Sequence, residues 1–410
     1  MSRAFHVMAK PTGAVCNLDC TYCFYLTKDQ LFPGSDFRMS DEVLERYVTD
    51  LLAAHRDQPE VVVAFQGGEP TMMGLDFFRR VVELEQRLVP AGQAVLNTVQ
   101  TNATLVDDTW AQFLAEHHFL VGVSVDGPRE LHDAYRVDKG GKPTFDRVLA
   151  GLAALQRHDV EWNALVTVNR ANQAHGAEVY RFLRDDLHAG FVQLIPIVDR
   201  VDGEVAPHSV EPAAYGDFLC AVFDEWVRHD VGTVFVQGFD TALAHWLGLE
   251  GMGVCVHERT CGASVALEHT GDVYSCDHFV DAEHRLGSLA EGRTLLELVG
   301  SPQQEAFGAA KLETLPGQCR SCRVRFACNG GCPKDRFATT ADGEPGLNHL
   351  CAGYRRFFEH VDLPMRFMAD RVRSGGEADE VMTLMARRDR TAATHRVEPR
   401  ARQRVGENHG

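Results

Sequence analysis

The sequence predicts an α/β protein: a partial, TIM-like (β/α)6 barrel followed by a cysteine-rich C-terminal domain. Three observations carry this reading. From residue 5 to about 198, six short β-rich runs alternate with longer amphipathic stretches, as βα units of a parallel sheet do. Beyond 198 the alternation breaks down. From 251 to 353 glycine and cysteine replace apolar periodicity, so that stretch reads as a fold held by metal rather than by a large core.

The first strand candidate is FHVMA, from Phe5. SDEVLERYVTDLLAAH follows as a helix, with Ser40 or Asp41 as its N-cap. VVVAFQ from Val61 is the second strand and LDFFRRVVELEQRL the next helix. AVLNTVQT from Ala94, FLVGVSVD from Phe119, WNALVTVN from Trp162 and FVQLIPIV from Phe191 complete the set. Six such units suit an open or partial barrel better than a doubly wound sheet, although periodicity alone does not separate the two. A further helix is expected from about 211 to 228. The expected division is a barrel over 1–230, a cysteine-rich domain with a C-terminal helix over 231–373, and a tail over 374–410. That tail carries Arg387, Arg388, Arg390, Arg396, Arg400, Arg402 and Arg404 without apolar periodicity, so it reads as disordered and solvated; docking through its charge is the other reading.

The chain has 410 residues, 45% hydrophobic and 24% charged, as soluble globular proteins do. A net charge of -17 argues against a nucleic-acid partner, which would require clustered Lys and Arg. MSRAFHVMAKPTGAV lacks the apolar core of a secretory signal, and no apolar run reaches membrane-spanning length. No membrane partner and a reducing, cytoplasmic location are therefore expected. Twelve cysteines there point to metal or redox chemistry rather than disulfides.

Cys16, Cys20 and Cys23 form CxxxCxxC on the loop expected after the first strand. Three thiolates can hold three irons of a 4Fe–4S cluster and leave the fourth open to a non-protein ligand. The amine and carboxylate of S-adenosylmethionine can chelate that iron, and one electron can then cleave the sulfonium to a hydrogen-abstracting 5′-deoxyadenosyl radical. A zinc knuckle or plain core cysteines are the alternatives. Cys255, Cys261, Cys276, Cys319, Cys322, Cys328, Cys332 and Cys351 provide eight more thiolates, enough for two fully ligated clusters. Spacing alone equally allows Cys319, Cys322, Cys328 and Cys332 as one site, and structural zinc is the other possibility. Cys220, on the helix expected over 211–228, suits a buried apolar role. His117 and His118 are adjacent, so they cannot both face one ion.

CNLDCTYCFY resembles the signature of radical S-adenosylmethionine enzymes, and most of all that of the anaerobic sulfatase-maturating enzymes. The resemblance continues in Gly67, Gly68, Glu69 and Pro70, similar to the segment that binds the methionyl amino group. It extends through Gln100, Thr101 and Asn102 and through Ser124, Val125, Asp126 and Gly127, similar to strand ends facing nucleoside and substrate. It spans residues 5 to about 370, and the C-terminal cysteine array resembles an auxiliary-cluster, SPASM-type domain. It implies three 4Fe–4S clusters and S-adenosylmethionine. Cys16, Cys20 and Cys23 would hold the first cluster, Cys255, Cys261, Cys276 and Cys332 the second, and Cys319, Cys322, Cys328 and Cys351 the third. Both fully ligated clusters would conduct electrons. Cofactor contacts would come from Tyr22, Phe24, Gly67, Gly68, Glu69, Pro70, Gln100, Asn102, Ser124 and Arg136. Asp126, His132, Asp133 and Arg136 recur in related peptide-modifying enzymes; Arg136 could grip a carboxylate bidentately or serve as an ordinary surface ion-pair partner.

Asp277 matches the base of that family. A substrate carbon radical becomes an aldehyde or thioaldehyde only if the hydroxyl or thiol proton is removed as an electron leaves, and a carboxylate in reach does this. Without the resemblance, Asp277 would read as a turn-capping surface residue and His278 as a structural histidine. The implied reaction is oxidation of Cys or Ser to formylglycine within a C/S-x-P/A-x-R segment of a sulfatase polypeptide, served by an external donor such as flavodoxin or ferredoxin. Two rivals remain at this stage. One is a radical enzyme acting on a ribosomal peptide by thioether formation or epimerisation, which would call for a leader-binding module not seen before Phe5. The other is a non-catalytic iron–sulfur electron carrier.

Overall fold

The computed structural model describes residues 5–251 and 253–397. The chain begins β1 (His6–Lys10), α1 (Asp41–Ala54), β2 (Glu60–Phe65), α2 (Leu75–Leu88), β3 (Ala94–Thr101), α3 (Asp108–Glu116) and β4 (Leu120–Ser124). It continues through α4 (Arg129–Asp133), α5 (Phe145–Arg157), β5 (Trp162–Val168), α6 (Gly176–Arg181) and β6 (Phe191–Pro196). A hairpin of β7 (Arg200–Val201) and β8 (Glu204–Val205) leads to α7 (Pro212–His229), β9 (Phe235–Val236) and α8 (Gln237–Leu247). The C-terminal part holds β10 (Ser264–Glu268), β11 (Asp272–Tyr274), β12 (Arg285–Ser288), α9 (Leu295–Val299) and α10 (Pro302–Glu313). It ends with α11 (Gly317–Arg320), α12 (Arg325–Cys328), the hairpin β13 (Ala338–Thr339) and β14 (Pro345–Leu347), α13 (Cys351–Arg373) and α14 (Glu380–Val397).

The six expected strands are β1–β6, joined in parallel into the wall of a partial barrel. Their side chains alternate, one set packing outward against helices and the other facing the barrel interior. Val61, Val63 and Phe65 of β2 are buried outward, where Phe65 meets Phe78 of α2 edge-on at 5.5 Å. Phe78 in turn contacts Trp110 at 5.4 Å and Phe119 at 6.1 Å, so one aromatic cluster binds α2 and α3 to the sheet. Each such side chain, fully buried, contributes about 1.5–3 kcal/mol. Ser40 is the N-cap of α1, its side chain accepting from Val43 N at 3.3 Å. Cys220 is buried on α7. Among the described residues no helix is long and apolar enough to cross a membrane.

Two expectations are corrected. The cysteine-rich region is not folded by metal alone: β10 joins β1 in parallel register, from His6 opposite Ser264 to Lys10 opposite Glu268. Val265 and Leu267 are fully buried there, and Leu295 and Leu298 of α9 enter the main core. The sheet thus has ten strands, in the order β12-β11-β10-β1-β2-β3-β4-β5-β6-β9. The tail expected to be disordered forms α14, which buries Val381 and Met385, while Arg228 of α7 grips Asp389 at 2.9 and 3.2 Å. Arg387, Arg388 and Arg390 lie on that helix; Arg400, Arg402 and Arg404 lie outside the described residues.

Candidate active site

The loop after β1 carries Cys16, Cys20 and Cys23, and neighbouring strand ends hold it on both sides. Gly68 N donates to Gly13 O at 2.9 Å and Glu69 N to Val15 O at 3.0 Å. The approach is so close that a Cβ on Gly68 would stand 1.9 Å from Val15 O. On the other side Asp19 N donates to Val137 O at 2.8 Å and Thr21 N to Tyr135 O at 3.1 Å. Behind Cys16, Asn102 Nδ2 donates to Asn17 Oδ1 at 2.9 Å, and Asn17 Nδ2 to Thr104 Oγ1 at 2.8 Å. The Leu18 amide donates to the Cys16 sulfur at 3.4 Å. All twelve cysteines are free. Burial pushes the Cys16 thiol up to about 12 and Cys20 to about 11, so a metal taken up here must displace their protons.

Glu69 is fully buried where β2 and β3 end. Its Oε1 accepts from Thr71 N (3.0 Å), Thr71 Oγ1 (2.7 Å) and Thr101 Oγ1 (2.8 Å), and its Oε2 from Asn102 N (2.7 Å). Burial outweighs these bonds and raises its pKa. Gly67 has φ +129°, and Pro70 opens the short turn Pro70–Met73 that Glu69 caps. Gln100, Gly122 and Asn163 share the barrel's inner face, since a Cβ on Gly122 would meet Gln100 Cγ at 3.3 Å and Asn163 Oδ1 at 3.1 Å. Half-buried Ser124 ends β4. Asn163 Oδ1 and Thr167 Oγ1 on β5 are buried without a partner, which fits a polar ligand in the barrel. Sequence reasoning missed both, although they occupy alternate positions of the predicted strand.

Arg136 is corrected. Its bidentate partner is not a surface acid but the buried Asp126, reached at 2.9 Å from Nε and 3.1 Å from Nη2. Tyr22 OH donates to the same carboxylate at 2.5 Å, and Thr167 N does so at 2.9 Å. Tyr22 is buried, and its hydroxyl ties the cysteine loop to Asp126. Burial would raise the pKa of Asp126, but the Arg136 charge holds it below the usual carboxylate range. His132 accepts from Asp126 N at 3.3 Å, and burial lowers its pKa to about 4, leaving it neutral. Asp133 Oδ1 accepts from Thr144 N and Phe145 N at 2.9 and 3.0 Å, fixing the start of α5.

Asp277 follows β11 and is brought to the Cys16 end of the barrel because β10 lies beside β1. Its Oδ2 is 3.8 Å from Nζ of the buried Lys10, and Cys276 Sγ donates to its Oδ1 at 3.4 Å. Burial would raise its pKa, but His278 and Lys10 outweigh that and keep it ionised. Lys10 also stands over the Tyr25 ring at 4.5 Å, and Tyr25 OH donates to buried Glu268. Phe24 meets the His278 ring at a 45° tilt, centroids 4.9 Å apart, linking the first cysteine loop to the Asp277 loop. No sequence signal marked Lys10 or Glu268, since an isolated charge in a strand ordinarily reads as solvated.

The remaining thiols fall into two groups by mutual electrostatic reach. Cys255 acts on Cys276 and Cys332 and is itself acted on by Cys261. Cys328 is acted on by Cys351, Cys319 and Cys322, and Cys319 by Cys351 and Cys322. The division falls between Cys328 and Cys332, where residues 329–331 are all left-handed, at φ 46°, 75° and 62°. Cys319, Cys322, Cys328 and Cys351 line a cavity of about 350 Å³ beside Arg325 and Arg355. Among the described residues no three His, Cys, Asp or Glu converge on a single metal ion. A four-iron cluster makes a different demand, one thiolate at each of its corners.

Residues 11–183 match the Radical SAM superfamily, and residues 255–323 match SPASM, an iron-sulfur cluster-binding domain. The chain is 44% identical over 385 residues to the serine-type anaerobic sulfatase-maturating enzyme of Bacteroides thetaiotaomicron, covering 90% of this chain and 92% of that one. It is 34% identical to the cysteine-type anaerobic sulfatase-maturating enzyme of Clostridium perfringens over 360 residues, 87% of this chain and 95% of that one. Native anSMEcpe with bound AdoMet superposes with a TM-score of 0.80 at 33% identity, covering 89% of this chain and 99% of that one. Streptococcus suis SuiB bound to precursor peptide SuiA, at 15% identity and a TM-score of 0.60 over 85% of this chain and 76% of that one, shares the fold alone. By its sequence and its fold together, the chain belongs to the anaerobic sulfatase-maturating enzymes of the radical SAM superfamily.

Proposed function

We propose that this enzyme oxidises a Cys or Ser side chain of a sulfatase polypeptide, within a C/S-x-P/A-x-R segment, to formylglycine. One observation carries the reading. A single end of the barrel collects a three-thiol loop, the turn at residues 67–70, and a half-buried ionised carboxylate, Asp277, next to a thiol of a second group. The Cys16, Cys20 and Cys23 thiols suit a 4Fe–4S cluster with one open iron, and the two further groups suit two closed ones. When bound, that open cluster and S-adenosylmethionine supply a hydrogen-abstracting 5′-deoxyadenosyl radical.

The chain's own residues do the rest. Gly67, Gly68, Glu69 and Pro70 shape the rim that receives the methionyl end, while Gln100, Asn102 and Ser124 line the nucleoside side, with Asn163 and Thr167 offering unspent acceptors. Phe24 flanks the approach to Asp277. Arg136 and Tyr22 hold Asp126, and through it the end of β4. After a Cβ hydrogen is abstracted, Asp277 takes the substrate's hydroxyl or thiol proton at a carboxylate oxygen as one electron leaves, giving an aldehyde, or a thioaldehyde that hydrolyses to it. His278 and Lys10 together keep Asp277 ionised for that task. An external one-electron carrier such as flavodoxin or ferredoxin, in a reducing cytoplasm, would complete the cycle.

Relatives of both serine and cysteine type align over most of this chain, and a related structure is that of native anSMEcpe with bound AdoMet and Cp18Cys peptide. The test is mass spectrometry of Cys- and Ser-containing sulfatase peptides after anaerobic turnover. Formylglycine on either is the expected product. A thioether, an epimer or unchanged peptide in both would overturn the proposal.

A further inference from the structure

Buried Lys311 and half-buried Arg336 stand between the two auxiliary thiol groups, and among the described residues no carboxylate pairs with either. Lys311 of α10 is 1% exposed, and its Nζ donates to the carbonyls of Cys255 and Val256 at 2.5 and 3.0 Å. Arg336 gives its guanidinium to four carbonyls: Gly330 at 3.1 Å, Lys311 at 2.6 Å, Asn329 at 3.0 Å and Gly331 at 3.3 Å. A longer contact of 3.5 Å reaches Thr314 Oγ1. The charged groups acting most strongly on Lys311 are Cys261, Cys255, Cys332 and Arg336. Those on Arg336 are Cys319, Cys261, Cys332 and Cys328, drawn from both thiol groups.

Burying a charge is costly unless an opposite charge compensates it, and carbonyl dipoles meet only part of that cost. Here the available counter-charge is the thiolates themselves, which become permanently anionic once they bind metal. The guanidinium keeps its charge at every relevant pH. Its position is also topological: Arg336 binds the carbonyls of residues 329–331, the left-handed run that sends Cys328 to one group and Cys332 to the other.

We propose that Lys311 and Arg336 are the counter-charges of the two auxiliary iron–sulfur sites, Arg336 shared between them, and that they raise the affinity of both sites for the electron leaving the substrate. This rests on the eight thiols being cluster ligands. In the oxidation step the substrate carbon radical loses one electron and, to Asp277, one proton. A cluster held by the thiols around Cys276 would supply the acceptor for that electron, and one held by the thiols around Cys319 would supply an exit toward an external one-electron carrier protein. Positive charge beside an acceptor stabilises its reduced form, an effect larger inside a protein than in water.

The test is a potentiometric titration, followed by electron paramagnetic resonance, of anaerobically reconstituted full-length enzyme without substrate. It compares wild type with Arg336→Gln, Arg336→Lys and Lys311→Met, with iron counted per chain for each. Arg336→Gln is expected to make reduction of both auxiliary sites about tenfold less favourable, about 59 mV for a one-electron couple. Lys311→Met is expected to do this mainly at the Cys255 site, and Arg336→Lys to stay near wild type. A merely structural Arg336 would cost iron or thermal stability without moving the potentials of the clusters that remain. Where Arg336→Gln assembles too little iron, Lys311→Met decides. Iron-replete Arg336→Gln or Lys311→Met with wild-type potentials overturns the inference, whereas a wild-type chain that binds iron only at the Cys16 loop would sink the ligand assignment beneath it.

Discussion

Replacing Gly68 by alanine tests how the radical site is held. The added Cβ would lie 1.9 Å from Val15 O and 2.5 Å from Val15 C. Both are backbone atoms of the loop that presents Cys16, so no side chain can swing away to relieve the clash. Restoring ordinary contact requires the two segments to separate by more than about 1 Å, because carbon and oxygen pack no closer than about 3 Å. That separation strains two hydrogen bonds, Gly68 N to Gly13 O and Glu69 N to Val15 O, each contributing about 1 kcal/mol. The global fold should survive, since the aromatic cluster of β2, α2 and α3 is untouched. Catalytic geometry should not, because a displacement of about 1 Å can lower a rate by about 100-fold. The assay measures 5′-deoxyadenosine release by anaerobically reconstituted protein, with iron content and circular dichroism alongside. Gly190→Ala is the control, since an added methyl group there meets nothing within 4 Å. A Gly68→Ala enzyme with full iron and wild-type cofactor cleavage would refute the reasoning.

Other predictions follow from the same contacts. Arg136→Ala leaves the buried Asp126 unpaired and should lower stability by about 3–5 kcal/mol in denaturant unfolding, more than the paired replacement Asp126→Leu/Arg136→Met. Asp277→Asn should retain cofactor cleavage but lose formylglycine, so coupled assays on one sample separate proton removal from radical formation. Cys276→Ala and Cys332→Ala should each remove one cluster and the double variant no more iron than either, whereas adding Cys328→Ala should remove a second. Buried Glu85 pairs with Asn97 at 2.9 Å, and burial raises its pKa to about 7. Its favourable contribution is therefore complete below pH 4.5 and disappears as pH rises through about 7. Glu85 Oε1 and Asn97 Oδ1 both lack partners, and a protonated carboxyl or an amide at 85 would join them. Glu85→Gln should thus be neutral at low pH and stabilising at pH 8 by up to about 3 kcal/mol, read as a pH-dependent gap between melting curves. A gap of equal size at both pH values would reject that explanation.

The barrel was legible because β2–β5 bury one face on helices and turn the other to the interior, which writes period-two alternation into the chain. The first cysteine loop was legible because the thiols it needs lie within eight residues of one another. What stayed hidden depends on contacts distant in sequence. β10 is a five-residue strand between cysteines whose apolar centre is only Val265, Ala266 and Leu267, and nothing local says that it will lie beside β1. α14 is anchored mainly by Val381 and Met385 amid charged neighbours, too few positions to register as a stripe. Arg136 displayed its chemistry in the sequence but not its partner. Lys10, Lys311 and Arg336 are ordinary basic residues until folding removes water from around them.

The account's central claim is that the Cys16, Cys20 and Cys23 loop leaves one iron free for the cofactor. It is tested most directly by the electron paramagnetic resonance spectrum of the reduced, reconstituted Cys255→Ala/Cys319→Ala protein before and after S-adenosylmethionine is added. The prediction is a retained cluster signal whose g-values shift on addition. A spectrum that the cofactor leaves unchanged, or zinc in place of iron at that loop, would contradict it.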